Sequence, residues 1–305
     1  MHLRDIFFRN LYSEFKKGNK KRFIIVTNDF GAPFLDKVRK DFPNYYLNAG
    51  ICEQNIVTLS AGLAKEGFYP IIYSISSFIL YRSFEQIKLD LCVHNVKCCL
   101  LTVGSGYAYD VDGPTHHTTE DLSVMYNMPN MKIFSPLNSE GVNDDFKQIK
   151  QSKCVSWFRL DRGSFNNKFN TNNTNGINYL KINKSKNLII STGTTSYSFM
   201  DRIVTKNLNI SALNINILKP LNINYLKKIL SKYKNIFVVE EHSEILGLYS
   251  IIVSNLNLDD FRNKKIFKFG IKQENMFAYG KREILRKINF IDTEKIIKFI
   301  RKVVN

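Results

Sequence analysis

The sequence predicts an α/β fold built as two consecutive parallel-sheet domains. Two observations carry that prediction. Short β-branched apolar runs alternate with helical segments along the chain, and a polar stretch without periodicity, residues 164–176, separates two such alternating regions. With 305 residues, 44% of them hydrophobic, the chain is long enough to bury two cores. We place the first domain at residues 1–165, a polar linker at 166–180 and the second domain at 181–305.

The first ten residues interleave charged and apolar side chains as an amphipathic helix does. Residues 22–28 form a short β-branched run that ends in Asp29-Phe-Gly, as a parallel strand feeding a loop would. A helix over 33–39 follows, then an apolar, small-residue helix from Glu53 to about Lys65 and a strand over 69–75. Next come a helix over 84–93, a strand over 96–103, a long loop to His117, a helix over 120–126 and the apolar run 132–136. The second region reads as a strand at 188–192, a helix at 196–206, strands at 210–217 and 235–240, and a helix at 246–256, closing with the segments from 265 to 304. Ligands of such sheets sit beyond the carboxyl ends of the strands, where the loops carrying Asp29 and Asp112 fall.

Composition narrows the class. No run of eighteen apolar residues occurs, and the most apolar stretch, 69–81, is broken by Pro70 and several serines, so no membrane helix is expected. The N-terminus lacks the apolar core of a signal peptide, and the expected location is cytoplasmic. Five cysteines form no C-x-x-C pair, which fits reduced core thiols. The net charge of +17 is scattered among Asn and Ile residues with no nucleic-acid-binding motif, so nucleic acid is not the expected partner. A positive field instead favours phosphorylated substrates and an acidic partner subunit.

Glu53 is the most informative residue. A glutamate at a helix start is ordinarily solvated and favoured by the dipole. Here Ile51, Ile56, Val57, Leu59, Ala61 and Leu63 leave little polar face, so this helix start is expected to be buried or set against another chain. Burial favours the neutral acid and the dipole favours the anion, which makes Glu53 a candidate proton donor or acceptor. Phe78, Tyr81 and Phe84 recur at three-residue spacing, which suits either a core helix face or a flat stacking surface. His116 and His117 are adjacent and cannot easily face one ligand, and the acids around them make no metal set. Arg159 and Arg162 read either as a clamp on phosphate or as partners of Asp161 and the surface. Gly104-Ser-Gly106 is not a dinucleotide fingerprint, because Tyr109 stands at the third glycine position.

Five blocks in order, GICEQN (50–55) with AGLAKEG (61–67), SSFILYRSFEQI (76–87), DGPTHHTTEDL (112–122), MPNM (128–131) and VVEEH (238–242), resemble the transketolase family of thiamine-diphosphate enzymes. The resemblance implies a pyrimidine-binding domain followed by a transketolase C-terminal domain. It implies that Glu53 contacts the aminopyrimidine of thiamine diphosphate, with Phe78, Tyr81 and Phe84 cradling the ring and Asp29 near the cofactor. By the same resemblance, His116 and Asp112 contact sugar hydroxyls, and Arg159 and Arg162 hold a sugar phosphate. No Gly-Asp-Gly diphosphate motif occurs, so the chain looks like the C-terminal subunit of a split enzyme. A separate N-terminal subunit would bind the diphosphate and Mg2+, most simply in a two-plus-two heterotetramer. The implied activity is transfer of a two-carbon ketol unit between sugars. The alternatives are a subunit like 1-deoxyxylulose-5-phosphate synthase, one like the 2-oxoacid dehydrogenase beta subunit, or a non-catalytic scaffold of the same fold. Two departures from the family pattern stand out: Gly104 occupies a place where full transketolases carry His, and Asn138 one where many carry Asp.

Overall fold

A computed structural model describes residues 1–166, 168–169 and 171–304. Helix α1 (Leu3–Lys16) leads into strand β1 (Phe23–Thr27), helix α2 (Pro33–Asp41), strand β2 (Tyr46–Asn48), helix α3 (Glu53–Lys65) and strand β3 (Tyr69–Ile75). Helices α4 (Ser76–Arg82) and α5 (Phe84–Gln86) run into a π-helical segment, Ile87–Val93, before strand β4 (Cys99–Val103). Helix α6 (Asp121–Met125), strand β5 (Met131–Phe134), helix α7 (Ser139–Ile149) and strand β6 (Val155–Leu160) complete the first half.

The second half contains β7 (Asn172–Thr174), β8 (Ile177–Leu180), β9 (Asn187–Ser191), α8 (Gly193–Thr205), β10 (Ser211–Ile215) and β11 (Ile217–Lys219). It ends with α9 (Ile223–Leu230), β12 (Asn235–Ser243), α10 (Leu248–Ser254), β13 (Lys265–Ile271), α11 (Arg282–Ile288) and α12 (Thr293–Val304).

Two mostly parallel sheets result, in the orders β11-β5-β6-β4-β3-β1-β2 and β13-β12-β9-β10-β8-β7. Strands β4 and β6 are buried along their whole length, and β4 accordingly reads without apolar–polar alternation. One core packs α1, α2 and α7 on one face of the first sheet. The core on its other face, with Ile56, Leu80 and Leu122, continues into Ile190 and Ile215 of the second sheet, so the two halves share apolar contacts.

Three features differ from the sequence-based expectation. The helix expected over 84–93 starts at Ser76, directly after β3, and Ser83 at φ −111° interrupts it. The strand expected over 210–217 divides at Asn216, and β11 pairs antiparallel with β5 of the first sheet. Asn216 makes this hand-over by donating to both carboxylate oxygens of Asp145, at 2.7 and 2.9 Å, while its carbonyl accepts from the Ser135 N–H at 2.7 Å. Finally, the stretch read as a linker carries β7 and β8, which pair antiparallel with each other, β8 also pairing with β10.

A buried ion network joins the halves. Glu241 on β12 accepts from the Tyr107 N–H at 2.7 Å and from Arg282 Nε at 2.9 Å, and also pairs with Arg286. Arg282 reaches on to Asp161 with two bonds of 2.9 and 2.6 Å. Burial raises the Glu241 pKa, but the two guanidinium groups and the backbone donor outweigh it and bring the carboxyl to about 2. Its stabilising contribution is therefore full above its ordinary value of 4.5 and is lost as pH falls through about 2. Glu241→Ala is expected to cost about 3 kcal/mol in urea denaturation at pH 7, because it removes the partner of the half-buried Arg286 and leaves Arg282 with Asp161 alone. The gap from wild type should narrow on acidification from pH 4.5 towards 2; a gap independent of pH would contradict the pairing.

Candidate active site

The carboxyl ends of β1, β3 and β4 deliver the loops that build the site. Beyond β1 the chain continues through Asn28 to Asp29, which adopts a left-handed φ of 65°. Asp29 is exposed and exchanges two 3.0 Å hydrogen bonds with the Asn48 amide, pinning the end of β2 to the end of β1. Gly50 and Cys52 then turn the chain so that Glu53 is the first residue of α3.

Glu53 is 2% exposed. Its Oε1 accepts from Asn28 Nδ2 at 2.8 Å and its Oε2 from Arg82 Nη1 at 2.6 Å. Burial raises its pKa, yet the helix-start N–H, the Arg82 guanidinium and the Asn28 amide outweigh it, so the carboxyl stays below its ordinary range. Each carboxylate oxygen keeps a further lone pair for another donor. The Asn28 Oδ1 beside it is buried and has no hydrogen-bond partner among the described residues.

A strip of side chains runs outward from Glu53. The Arg82 guanidinium lies 5.3 Å from the centre of the half-buried Phe78 ring, and His116 meets that ring edge-on at 4.9 Å. Tyr109 is 5.8 Å from His116 on its other side, and Arg162 lies over Tyr109 at 5.1 Å. Thr115 Oγ1 holds His116 Nδ1 at 3.0 Å. Asp112 sits nearby on an exposed 3-10 turn, Asp110–Asp112. His117 points the other way, buried, with Nε2 3.0 Å from the Asp110 carbonyl.

Of the residues singled out from sequence, Glu53, Phe78, His116 and Arg162 thus fall on one strip, with Asp112 and Asp29 on its rim. Tyr81 and Phe84 pack against the core behind it. Burial pushes the Tyr81 hydroxyl far above its ordinary pKa. Arg159 is 7% exposed and donates from Nε to Asp121 Oδ2 at 2.6 Å. That pair adjoins His242, whose Nε2 is 3.7 Å from Asp121 Oδ1 and accepts from the Leu122 N–H at 3.2 Å. Arg159 is therefore held inside the junction of the two halves, whereas Arg162 is exposed at the surface over the Tyr109 ring.

Sequence reasoning missed Asn28, Tyr109 and the pairing of Arg82 with Glu53. Gly104 carries the signal that would have found Tyr109. At φ 113° its missing Cβ would stand 2.6 Å from the Tyr109 ring, so the tyrosine fills the space that a side chain at position 104 would occupy. Among the described residues no group of three or more His, Cys, Asp or Glu is placed to hold a metal ion. No helix there is long and apolar enough to cross a membrane.

Replacing Arg82 with Met removes the charge but not the burial, so the Glu53 pKa should rise. Carbon-13 NMR titration of the Glu53 carboxyl in wild type and R82M reads this directly. An unchanged titration would mean that the pair does not form.

Three comparisons bear on this geometry. Residues 4–166, more than half of the chain, match the family model "Transketolase, pyrimidine binding domain". A 1-deoxy-D-xylulose-5-phosphate synthase of Halothermothrix orenii is 29% identical over 95% of this chain and 46% of its own length. An apulose-4-phosphate transketolase subunit of Phocaeicola vulgatus is 26% identical over 97% of this chain and 96% of its own. The chain thus spans about half the length of the synthases it matches and nearly all of the apulose-4-phosphate transketolase subunit. Among solved structures, a split gene transketolase described as an inactive beta4 tetramer superposes with a TM-score of 0.83 at 20% identity, covering 99% of this chain and 98% of its own. A transketolase from Campylobacter jejuni gives 0.76 at 17% identity over 99% of this chain and 46% of its own, and both likenesses establish the fold. With the family model matched over more than half its length, the chain belongs to the transketolase pyrimidine-binding domain family.

Proposed function

We propose that the chain is the C-terminal subunit of a split, thiamine-diphosphate-dependent transketolase-like enzyme of the cytoplasm. It transfers a two-carbon ketol unit between sugars, in a site completed by a separate subunit that binds the diphosphate and Mg2+. The observation that carries this reading is the buried Glu53 carboxylate at the start of α3, beside an aromatic face and an imidazole.

The residues present fit an aminopyrimidine. Such a ring needs a carboxylate at its ring nitrogen, an acceptor for its amino group and a flat apolar surface. Glu53, the Asn28 Oδ1, which has no partner among the described residues, and Phe78 are of those three kinds. The bound cofactor supplies a carbon nucleophile and an electron sink. In this reading Glu53 holds or releases the proton at the ring nitrogen, while Tyr81 and Phe84 support Phe78 from behind. His116, with Nδ1 engaged by Thr115, keeps Nε2 for proton exchange with a sugar hydroxyl, and Asp112 binds a second hydroxyl. Arg162 takes the phosphate, Arg159 positions the junction through Asp121, and Asp29 lies where the cofactor meets the subunit interface.

Partner dependence is supported by the rim of the site. Ile51 is 77% exposed, two residues before Glu53, and Val111, Phe277 and Tyr279 are 64, 75 and 70% exposed. Tyr279 lies over Gly113, on the same turn as Val111. Exposed apolar side chains around a polar centre mark a surface that another chain covers. Relatives that are themselves described as transketolase subunits, matched over 96% of their length, support the same division of labour. The five free thiols suit the cytoplasm.

A second reading, a 1-deoxyxylulose-5-phosphate-synthase-like subunit that uses pyruvate as donor, is favoured by Gly104 and the Tyr109 ring that fills the place of the family His. Assaying the chain mixed with its partner, with a ketose phosphate or with pyruvate as donor, separates the two. Turnover with the ketose, reduced about 10²–10⁴-fold in Glu53→Gln, is expected. Carbon dioxide release from pyruvate would establish the second reading, and no turnover with either donor would leave a scaffold.

A further inference from the structure

A groove of about 600 Å³ opens at the end of the first sheet opposite the candidate active site. Four loops meet there, each entering the amino end of a strand: those before β1, β3, β4 and β6. Strand β1 has five residues, so about 16 Å of sheet separates this edge from the Asn28 edge. The two sites therefore do not share residues.

Seven Lys and Arg side chains line the groove with His94, and no acidic residue does. In a chain with 44 Lys and Arg against 27 Asp and Glu, seven cations and no acid around one hollow is a concentration beyond the general basic bias. Lys150 pairs with Glu14 at 3.0 Å, and Arg22 is spent on the Glu66 carbonyl and the Phe68 ring. Among the described residues Lys20, Lys21, Lys65, Lys97 and Lys153 are exposed and make no ion pair, so five like charges line one hollow without a counter-charge. That arrangement is electrostatically costly until an anion enters.

We propose that this groove binds a compact anion carrying several phosphate groups. One phosphate would leave most of the cations unmatched. A single-stranded nucleic acid asks for open aromatic platforms. Here the two aromatic residues lining the groove are Phe68, covered by Arg22 at 4.1 Å, and Tyr69, which is 7% exposed. The volume falls in the range of small-molecule sites.

The test is calorimetric titration of inorganic tripolyphosphate into the full chain at two salt concentrations, with orthophosphate as the comparison ligand. Saturable one-to-one binding is expected, weaker at higher salt. It should weaken at least about tenfold in the triple variant Lys20→Gln, Lys97→Gln, Lys153→Gln. A control triple variant, Lys228→Gln, Lys298→Gln, Lys302→Gln, removes three exposed lysines outside the groove and should bind as wild type does. All six side chains are exposed, so neither variant threatens folding. Equal weakening in both variants, binding no tighter than that of orthophosphate, or no saturable binding would overturn the proposal.

Discussion

The site loop, Gly104 to Glu120, is held from behind by the second half of the chain, chiefly through Glu241. That carboxylate accepts from the Tyr107 N–H, the Arg282 backbone N–H donates to Asp110 at 2.9 Å, and the Ser243 N–H donates to the Thr119 carbonyl. The loop closes on itself where Gly106 and Thr118 exchange backbone bonds of 2.9 and 3.0 Å, and it is anchored further by its bonds to β12 and α11. His116 and Asp112 are fixed locally, through Thr115 and the Gly113 and Tyr109 carbonyls, on a loop whose anchors lie more than 120 residues away in the chain. The second half is thus part of the scaffold of a site whose candidate cofactor and sugar contacts all lie in the first.

Glu53 illustrates how opposing terms of similar size are settled by particular neighbours. Burial alone would favour the neutral acid. The helix-start N–H, Arg82 and Asn28 reverse the balance, and the carboxyl is held as an anion that can still take a donor. The half-exposed Arg82 side chain is the adjustable member of this set, since it reaches Glu53 from the solvent side across the face of Phe78. The two edges of the first sheet are consequently different environments: acids with their own partners at the carboxyl edge, crowded lysines at the amino edge.

Much of this was legible in the sequence. The start of α3 at Glu53, the extent of β3 and the two alternating regions follow from local periodicity, which needs no knowledge of distant contacts. What escaped was long-range. Arg82 finds Glu53 across 29 residues, and neither position announces the other. Strand β11 leaves its neighbours because Asn216 bonds Asp145, a tertiary choice that no apolar run encodes. Arg159 and Arg162 look alike in sequence, yet one is enclosed with Asp121 and the other stands over Tyr109. The polar run Glu240, Glu241 and His242 is buried within β12, each member partnered, so its hydrophilic character misstates its location.

On the proposed function this chain carries half of a cofactor site. Titrating thiamine diphosphate with magnesium into the chain alone, into the candidate diphosphate-binding subunit alone and into their mixture tests that division. Tight binding confined to the mixture, and lost when Glu53 is replaced by Ala, is the predicted result. Equally tight binding to the chain alone, or none in the mixture, would contradict it.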